Sequence, residues 1–209
     1  MPLDTARPTT PLRPDLRRIA DMIAPDCRVL DIGCEDGALL NYLWHEKNVD
    51  GRGIELSPDG VRDCVARGLS VVQGDADTDL DGYPEKSFTY AVLSQTIQAT
   101  RDPKGVLANL VRIGEWAIVS LPNFAYWRMR LGLLLRGRMP VTKTLTYQWY
   151  DTPNIHFCTI RDFVGLAEEL EITVDRAMIL RRSGRIADMP IGTWANWVGE
   201  HAIFLLRKG

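Results

Sequence analysis

The sequence predicts an α/β fold, doubly wound around a largely parallel sheet. Three observations predict it. Short apolar runs of about five residues recur between helical stretches, which is the rhythm of βαβ units. Two of the runs, Tyr90–Leu93 and Ala117–Val119, are apolar throughout, as in strands covered on both faces. The 209 residues are 45% hydrophobic and 25% charged, enough apolar material for a sizeable core.

Each element has a local reason. Residues 1–13 read as a flexible arm, rich in proline and threonine and without periodicity. One domain is expected over 14–209. Pro14 suits the first position of a helix over about 14–24, with Leu16, Ile19, Ala20 and Ile23 on one face. Arg28–Ile32 is a first strand. Glu35 to Glu46 reads as helical, with Ala38, Leu39, Tyr42 and Leu43 on one side. Val49–Leu56 holds a second strand. Ser57 caps the next helix, Pro58 opens it, Val61, Cys64 and Val65 face inward, and Gly68 stops it. Leu69–Gln73, Phe88–Ser94 and Trp116–Leu121 are the third to fifth strands, and Asp102-Pro103 starts a helix before the fifth. Thr159 and Asp162 resemble a capping box ahead of Phe163, Leu166, Ala167 and Leu170. Ile172–Leu180 and His201–Leu206 are the sixth and seventh strands. Between them, Arg181–Trp197 reads as a long connection with little regular structure, and Trp194 and Trp197 as core or edge packing.

Composition narrows the function classes. The net charge is -2, so nothing steers the chain toward nucleic acid or an anionic membrane. No apolar stretch is long enough to span a bilayer, and no signal peptide is visible. Four cysteines without a C-x-x-C pair, and three scattered histidines, argue against a disulfide scaffold and against a metal site. A reducing cytoplasm is the expected setting.

The richest stretch is Val29-Leu30-Asp31-Ile32-Gly33-Cys34-Glu35-Asp36-Gly37, a strand that turns sharply into a helix. Glycine there lets backbone approach a ligand, and the helix start offers free N–H groups. Glu55 ends the second strand, where a carboxylate can take both hydrogen bonds of a ribose diol. Gln73-Gly74-Asp75-Ala76-Asp77 follows the third strand and is placed to border an adenine edge. All three strand ends share one rim of a parallel sheet, where ligands bind.

This arrangement resembles the class I S-adenosylmethionine-dependent methyltransferases. The resemblance implies a mostly parallel, seven-stranded, Rossmann-like three-layer sandwich whose last strand is antiparallel. It also implies S-adenosylmethionine or S-adenosylhomocysteine as ligand, held by Asp31, Gly33, Cys34, Glu35, Gly37, Glu55, Leu56, Asp75, Ala76 and Ser94. Glu35 stands where that motif has glycine. Its side chain fills the space of the ligand's carboxylate, repels it, or points outward; the sequence leaves the three open. Gln73-Gly74-Asp75, Leu93–Ala99, Val119–Phe124, Gly137–Pro140 and Tyr150–His156 together resemble the methionine biosynthesis protein MetW family over nearly the whole chain. That resemblance implies a role in methionine synthesis, in partnership with the homoserine O-acyltransferase MetX.

The region 125–158 breaks the strand–helix rhythm and reads as an insertion or lid. Tyr126–Met139 mixes Arg128, Arg130, Arg136 and Arg138 with Trp127 and several leucines, in a helix ending at Gly137. It fits a membrane-surface helix, an RNA face or a protein-docking element; the negative net charge favours docking to a protein partner or a second copy. A helix packed over the sheet edge with its arginines snorkelling outward is the plainer alternative. Candidates to line an acceptor pocket are Ser94, Gln95, Asn123, Tyr150, Asp151 and His156, with His156 as a candidate base oriented by Asp151. A Ser94–His156–Asp151 hydrolase is disfavoured, because Ser94 lacks the G-x-S-x-G context. Two functions follow: an accessory component supporting homoserine O-acylation, or an active small-molecule methyltransferase.

Overall fold

A computed structural model describes residues 12–141, 147–180, 186–188 and 192–209. Of the expected arm, only Leu12 and Arg13 fall within them.

The helices and strands follow in the order α1 (Pro14–Met22), β1 (Arg28–Ile32), α2 (Ala38–Lys47), β2 (Asp50–Glu55), α3 (Pro58–Ala66) and β3 (Ser70–Gln73). Then come β4 (Phe88–Ser94), α4 (Pro103–Ile113), β5 (Gly114–Pro122), α5 (Trp127–Arg136), α6 (Ile160–Glu169), β6 (Ile172–Leu180), β7 (Ile186–Asp188), α7 (Thr193–Val198) and β8 (His201–Lys208). The sheet order is β3-β2-β1-β4-β5-β8-β6-β7. From β3 to β5 all pairs are parallel, and β8 inserts antiparallel between β5 and β6. This is the expected seven-stranded, mostly parallel sheet, with the three-residue β7 added at its edge.

Alternation along the central strands divides the core. Leu30 and Ile32 of β1, Leu93 of β4 and Phe204 of β8 pack against Val106, Leu107 and Leu110 of α4 and Phe163 of α6. Val29, Val92, Ile118 and Ile203 face the other way, against Leu16 and Ile19 of α1 and Leu39 and Leu43 of α2. Helix ends are set by capping. Ser57 accepts from the Gly60 N–H, Asp102 from the Gly105 N–H, and Thr159 and Asp162 form a complete capping box.

Four expectations need correction. The second helix begins at Ala38, not Glu35, because Gly33, Glu35 and Gly37 all have positive φ and cannot continue a right-handed helix. On α3 only Cys64 is fully buried, while Val65 is 57% exposed, because this helix covers the sheet near its edge strand. The connection before β8 holds β7 and α7, although 181–185 and 189–191 lie outside the described residues. Trp194 and Trp197 are surface residues rather than core, and the Arg130 guanidinium lies 4.6 Å from the Trp197 ring centre.

The helix read over 126–139 forms as α5 and ends at Gly137 in a left-handed conformation. Only Met129 of α5 is buried, and Leu133, Leu134 and Leu135 face solvent. Among the described residues no helix is long and apolar enough to cross a membrane.

Candidate functional site

The strand order reverses between β1 and β4, so the connections leaving their C-terminal ends run in opposite directions and leave a crevice. A cavity of about 930 Å³ fills it. Asp31, Gly33, Cys34, Glu35, Glu55, Leu56, Asp75, Ala76, Ser94 and Gln95 all line this cavity, so most of the site residues read from the sequence come together.

Asp31 is 2% exposed on β1, and its Oδ1 has no hydrogen-bond partner. Burial pushes its carboxyl up to about 7, against the pull of Arg13. Such a group gains from a cation brought beside it. The following turn is pinned to β2, with the Gly33 and Cys34 N–H groups both donating to the Ile54 carbonyl. A Cβ at Gly33 would stand 2.6 Å from Thr96 Oγ1, so only glycine allows the turn after β4 to close over it. Beneath the loop the Cys34 and Cys64 sulfurs meet at 3.9 Å. That contact, with burial, raises the Cys34 thiol pKa.

Glu55 has one oxygen on each side of the next turn. Oε2 accepts from the Glu35 N–H and Oε1 from the Ser57 N–H, both at 2.8 Å. A carboxylate oxygen has two acceptor sites, so both atoms retain capacity for a diol. Gly60 allows this close packing, since a Cβ there would lie 2.8 Å from the Glu35 carbonyl oxygen. The Glu35 side chain is 77% exposed and lies 3.3 Å from Arg13. Of the three open alternatives, the geometry is the outward one.

The turn after β3 is also braced. Asp75 is ion-paired with Arg101 at 2.6 Å, and Asp77 accepts from the backbone N–H groups of Arg101 and Asp102. Burial works against the charge on Asp77, but those hydrogen bonds hold its carboxyl below the ordinary range.

Five expected residues lie elsewhere. Gly37 supplies the left-handed N-cap of α2 and does not face the cavity. Asn123 is fully buried and structural. Its Nδ2 donates to the Asn196 and Gly199 carbonyls, and its Oδ1 accepts from the Ala125 and Ile160 N–H groups. Tyr150, Asp151 and His156 are exposed and do not line the cavity. The backbone N–H groups of Ile155 and His156 both donate to the Gln98 carbonyl, which straps the segment so that Tyr147, Thr152, Pro153 and Asn154 line the cavity while the side chains of Tyr150, Asp151 and His156 do not. No Ser94–His156–Asp151 triad is assembled. Ser94 Oγ instead meets Ser120 Oγ at 3.2 Å.

The structure adds residues that the sequence reading missed. Arg13 and Asp15 at the start of α1, Thr96 and Arg101 after β4, and Glu200 and His201 at the start of β8 all line the cavity. Arg13 joins Asp15 to Glu35, and Gln95 Nε2 donates to Asp15 Oδ2 at 2.6 Å. Burial holds the His201 imidazole pKa below its ordinary value, against the pull of Asp15 and Glu200. Among the described residues, eight carboxylates line the cavity against two guanidinium groups.

Comparison with known proteins agrees with this geometry. A family model described as methionine biosynthesis protein MetW matches residues 13–206. The bifunctional methionine biosynthesis protein MetXA/MetW of Rhodopirellula baltica is 30% identical over 173 residues, covering 78% of this chain. The match covers 28% of that relative, so the chain spans little more than a quarter of its length. Among solved structures, a Thermotoga maritima S-adenosylmethionine-dependent methyltransferase, described as a possible histamine N-methyltransferase, superposes with a TM-score of 0.67. It is 17% identical, with 93% of this chain and 88% of that one covered. An Archaeoglobus fulgidus S-adenosylmethionine-dependent methyltransferase gives 0.66 at 15% identity, covering 93% and 91%. At these identities the structures speak for the fold alone.

Proposed function

This chain belongs to the methionine biosynthesis protein MetW family, and on that premise we propose that its cleft binds S-adenosylmethionine or S-adenosylhomocysteine in the service of methionine biosynthesis. The carrying observation is that Asp31, Glu55 and Asp75 end neighbouring parallel strands or begin the turns after them, and face one cavity.

The residues fit the ligand. Asp31 is a buried carboxyl whose ionised form needs a cation, and it faces the methionine ammonium with the 33–37 turn. Glu55 keeps acceptor capacity for the ribose diol, beside Leu56. Asp75 and Ala76 border the base. Arg13, whose side chain is half covered and lies beside the loop, is a guanidinium placed to meet the ligand's carboxylate. S-adenosylmethionine, when bound, supplies an electrophilic methyl group on a sulfonium. The chain's own part is to hold that group, surround it with negative charge and exclude water.

Methyl transfer to a small molecule is the activity this geometry supports best, because the cavity runs on past the nucleotide rim to Gln95 and His201. Labelled cofactor, incubated with the protein and a metabolite extract, tests it. Label in a small molecule supports the reading, and label found only in unreacted cofactor opposes it.

A second reading has its own support. The Rhodopirellula relative carries a MetXA name beside MetW on one chain. Here α5 exposes Leu133, Leu134 and Leu135 between Arg128 and Arg136, a mixture typical of docking surfaces. The protein would then bind a separate homoserine O-acyltransferase through α5 and sustain homoserine O-acylation. Co-purification of the two proteins, with acylation assayed in the presence and absence of this chain, tests that role. Four free thiols fit work in a reducing cytoplasm.

A further inference from the structure

We propose that the inner end of the cavity is a subsite for a small primary ammonium group, held by Asp15, Gln95 and His201. It rests on the reading that the outer end holds S-adenosylmethionine, and names the class of acceptor that a transfer there would use: the ammonium first gives one proton to the neutral His201 imidazole, and the lone pair so freed takes the methyl as S-adenosylhomocysteine leaves.

The three residues converge from separate elements: the first turn of α1, the turn after β4 and the first residue of β8. Asp15 is 6% exposed and lines the cavity. Its contacts with Gln95 Nε2 and Arg13 Nη2 both fall on Oδ2. Because the Gln95 amide donates through Nε2, its carbonyl oxygen is the end left to accept. Gln95 is held in place by its backbone, whose N–H donates to the Ser120 carbonyl at 2.9 Å from a φ of 57°. That left-handed conformation is unfavourable for a residue with a Cβ, and sites of function commonly retain such strain.

His201 presents an uncharged ring. Its Nδ1 is buried without a hydrogen-bond partner, and burial lowers its pKa. Glu200, also buried, lines the cavity next to it in the chain. An ammonium carries three N–H donors and no acceptor. A carboxylate, an amide carbonyl and a neutral imidazole are three acceptors on one wall. Among the described residues the lining carboxylates outnumber the guanidinium groups, which favours a cation here over an anion such as a phosphate or a second carboxylate. Leu16, Pro122 and Leu180 form the apolar remainder of the wall, so a short carbon chain is the fitting attachment.

Sinefungin tests the assignment, because it carries an ammonium where S-adenosylmethionine carries its methylsulfonium. S-adenosylhomocysteine, with neither group, is the control. Both are titrated by calorimetry into wild type, Asp15→Asn, Gln95→Leu and His201→Gln, each first shown to unfold cooperatively. Wild type is expected to bind sinefungin at least tenfold more tightly than the control. Asp15→Asn and at least one of the other variants should lose most of that advantage and keep control affinity within threefold. Equal affinity of wild type for the two ligands, or an advantage that survives in all variants, overturns the subsite and leaves the cleft reading standing. Binding of neither ligand to folded wild type overturns both.

Discussion

Replacing Asp31 by asparagine should strengthen the empty protein while weakening its hold on ligand. The carboxyl is fully buried and its pKa is raised from 3.8 to about 7. A raised acid pKa means that the folded state holds a proton the unfolded state has released. Stability therefore falls as pH rises from about 4 to 7, and the full cost persists above that. Linkage puts that cost at about 4 kcal/mol at pH 8 and about 1.5 kcal/mol at pH 5, as orders of magnitude. The variant side chain carries no such charge. Its new amide brings a pH-independent penalty, so the informative quantity is the change with pH. Relative to wild type, Asp31→Asn should gain about 2.5 kcal/mol between pH 5 and pH 8, or roughly 5–10 °C in Tm. Thermal unfolding of both proteins at the two pH values measures it. A difference in Tm that stays constant with pH would refute the buried, proton-holding carboxyl. The same variant should bind S-adenosylmethionine about 10–100-fold more weakly, since a hydrogen bond to a charged group is worth about 1.5–3 kcal/mol.

Other substitutions separate the parts. Glu55→Gln should cost at least about tenfold in S-adenosylmethionine affinity, because an amide nitrogen would oppose one of the two backbone N–H groups that the carboxylate now accepts; calorimetry reads it. Glu35→Gly should change stability by no more than about 1 kcal/mol, as relief of the left-handed conformation is offset by glycine's chain entropy. Because that side chain is 77% exposed, cofactor affinity should stay within about threefold, and a gain of tenfold would show that its charge does oppose the ligand. Asn123→Ala removes four buried hydrogen bonds, three of which tie the end of β5 to the end of α7 and the start of α6, and should destabilise by about 3 kcal/mol in denaturant titrations. Leu134→Ser with Leu135→Ser should leave stability within about 0.5 kcal/mol each, and reduce any stimulation of homoserine O-acyltransferase if α5 is the docking face.

The parts legible in the sequence are those with local causes. Pro14, Pro58 and Pro103 open helices, Ser57, Asp102 and Thr159 cap them, and the apolar runs between them became strands. Asp31, Glu55 and Asp75 were readable because each sits at or just beyond a strand end on the ligand rim. The inner end was not readable. Asp15 and His201 are at opposite ends of the chain, and only the insertion of β8 beside β5 brings His201 to the cavity. Tyr150, Asp151 and His156 looked chemical because they are polar and aromatic in one run. Backbone bonds from Ile155 and His156 to Gln98 fasten that run so that Thr152, Pro153 and Asn154 line the cavity and the side chains of Tyr150, Asp151 and His156 stay outside it, and no side-chain pattern announces such bonds. Gly37 misled for a related reason: its positive φ serves the start of α2, and the same residue type would serve a ligand equally well.

The most direct measurement is titration of the purified protein with S-adenosylmethionine, in buffers of different ionisation enthalpy at pH 7. Saturable one-site binding that releases protons is expected, since a bound cation pulls the proton from Asp31. Release should disappear in Asp31→Asn. A cooperatively folded wild type that shows neither heat nor a rise in Tm at millimolar ligand would contradict the account.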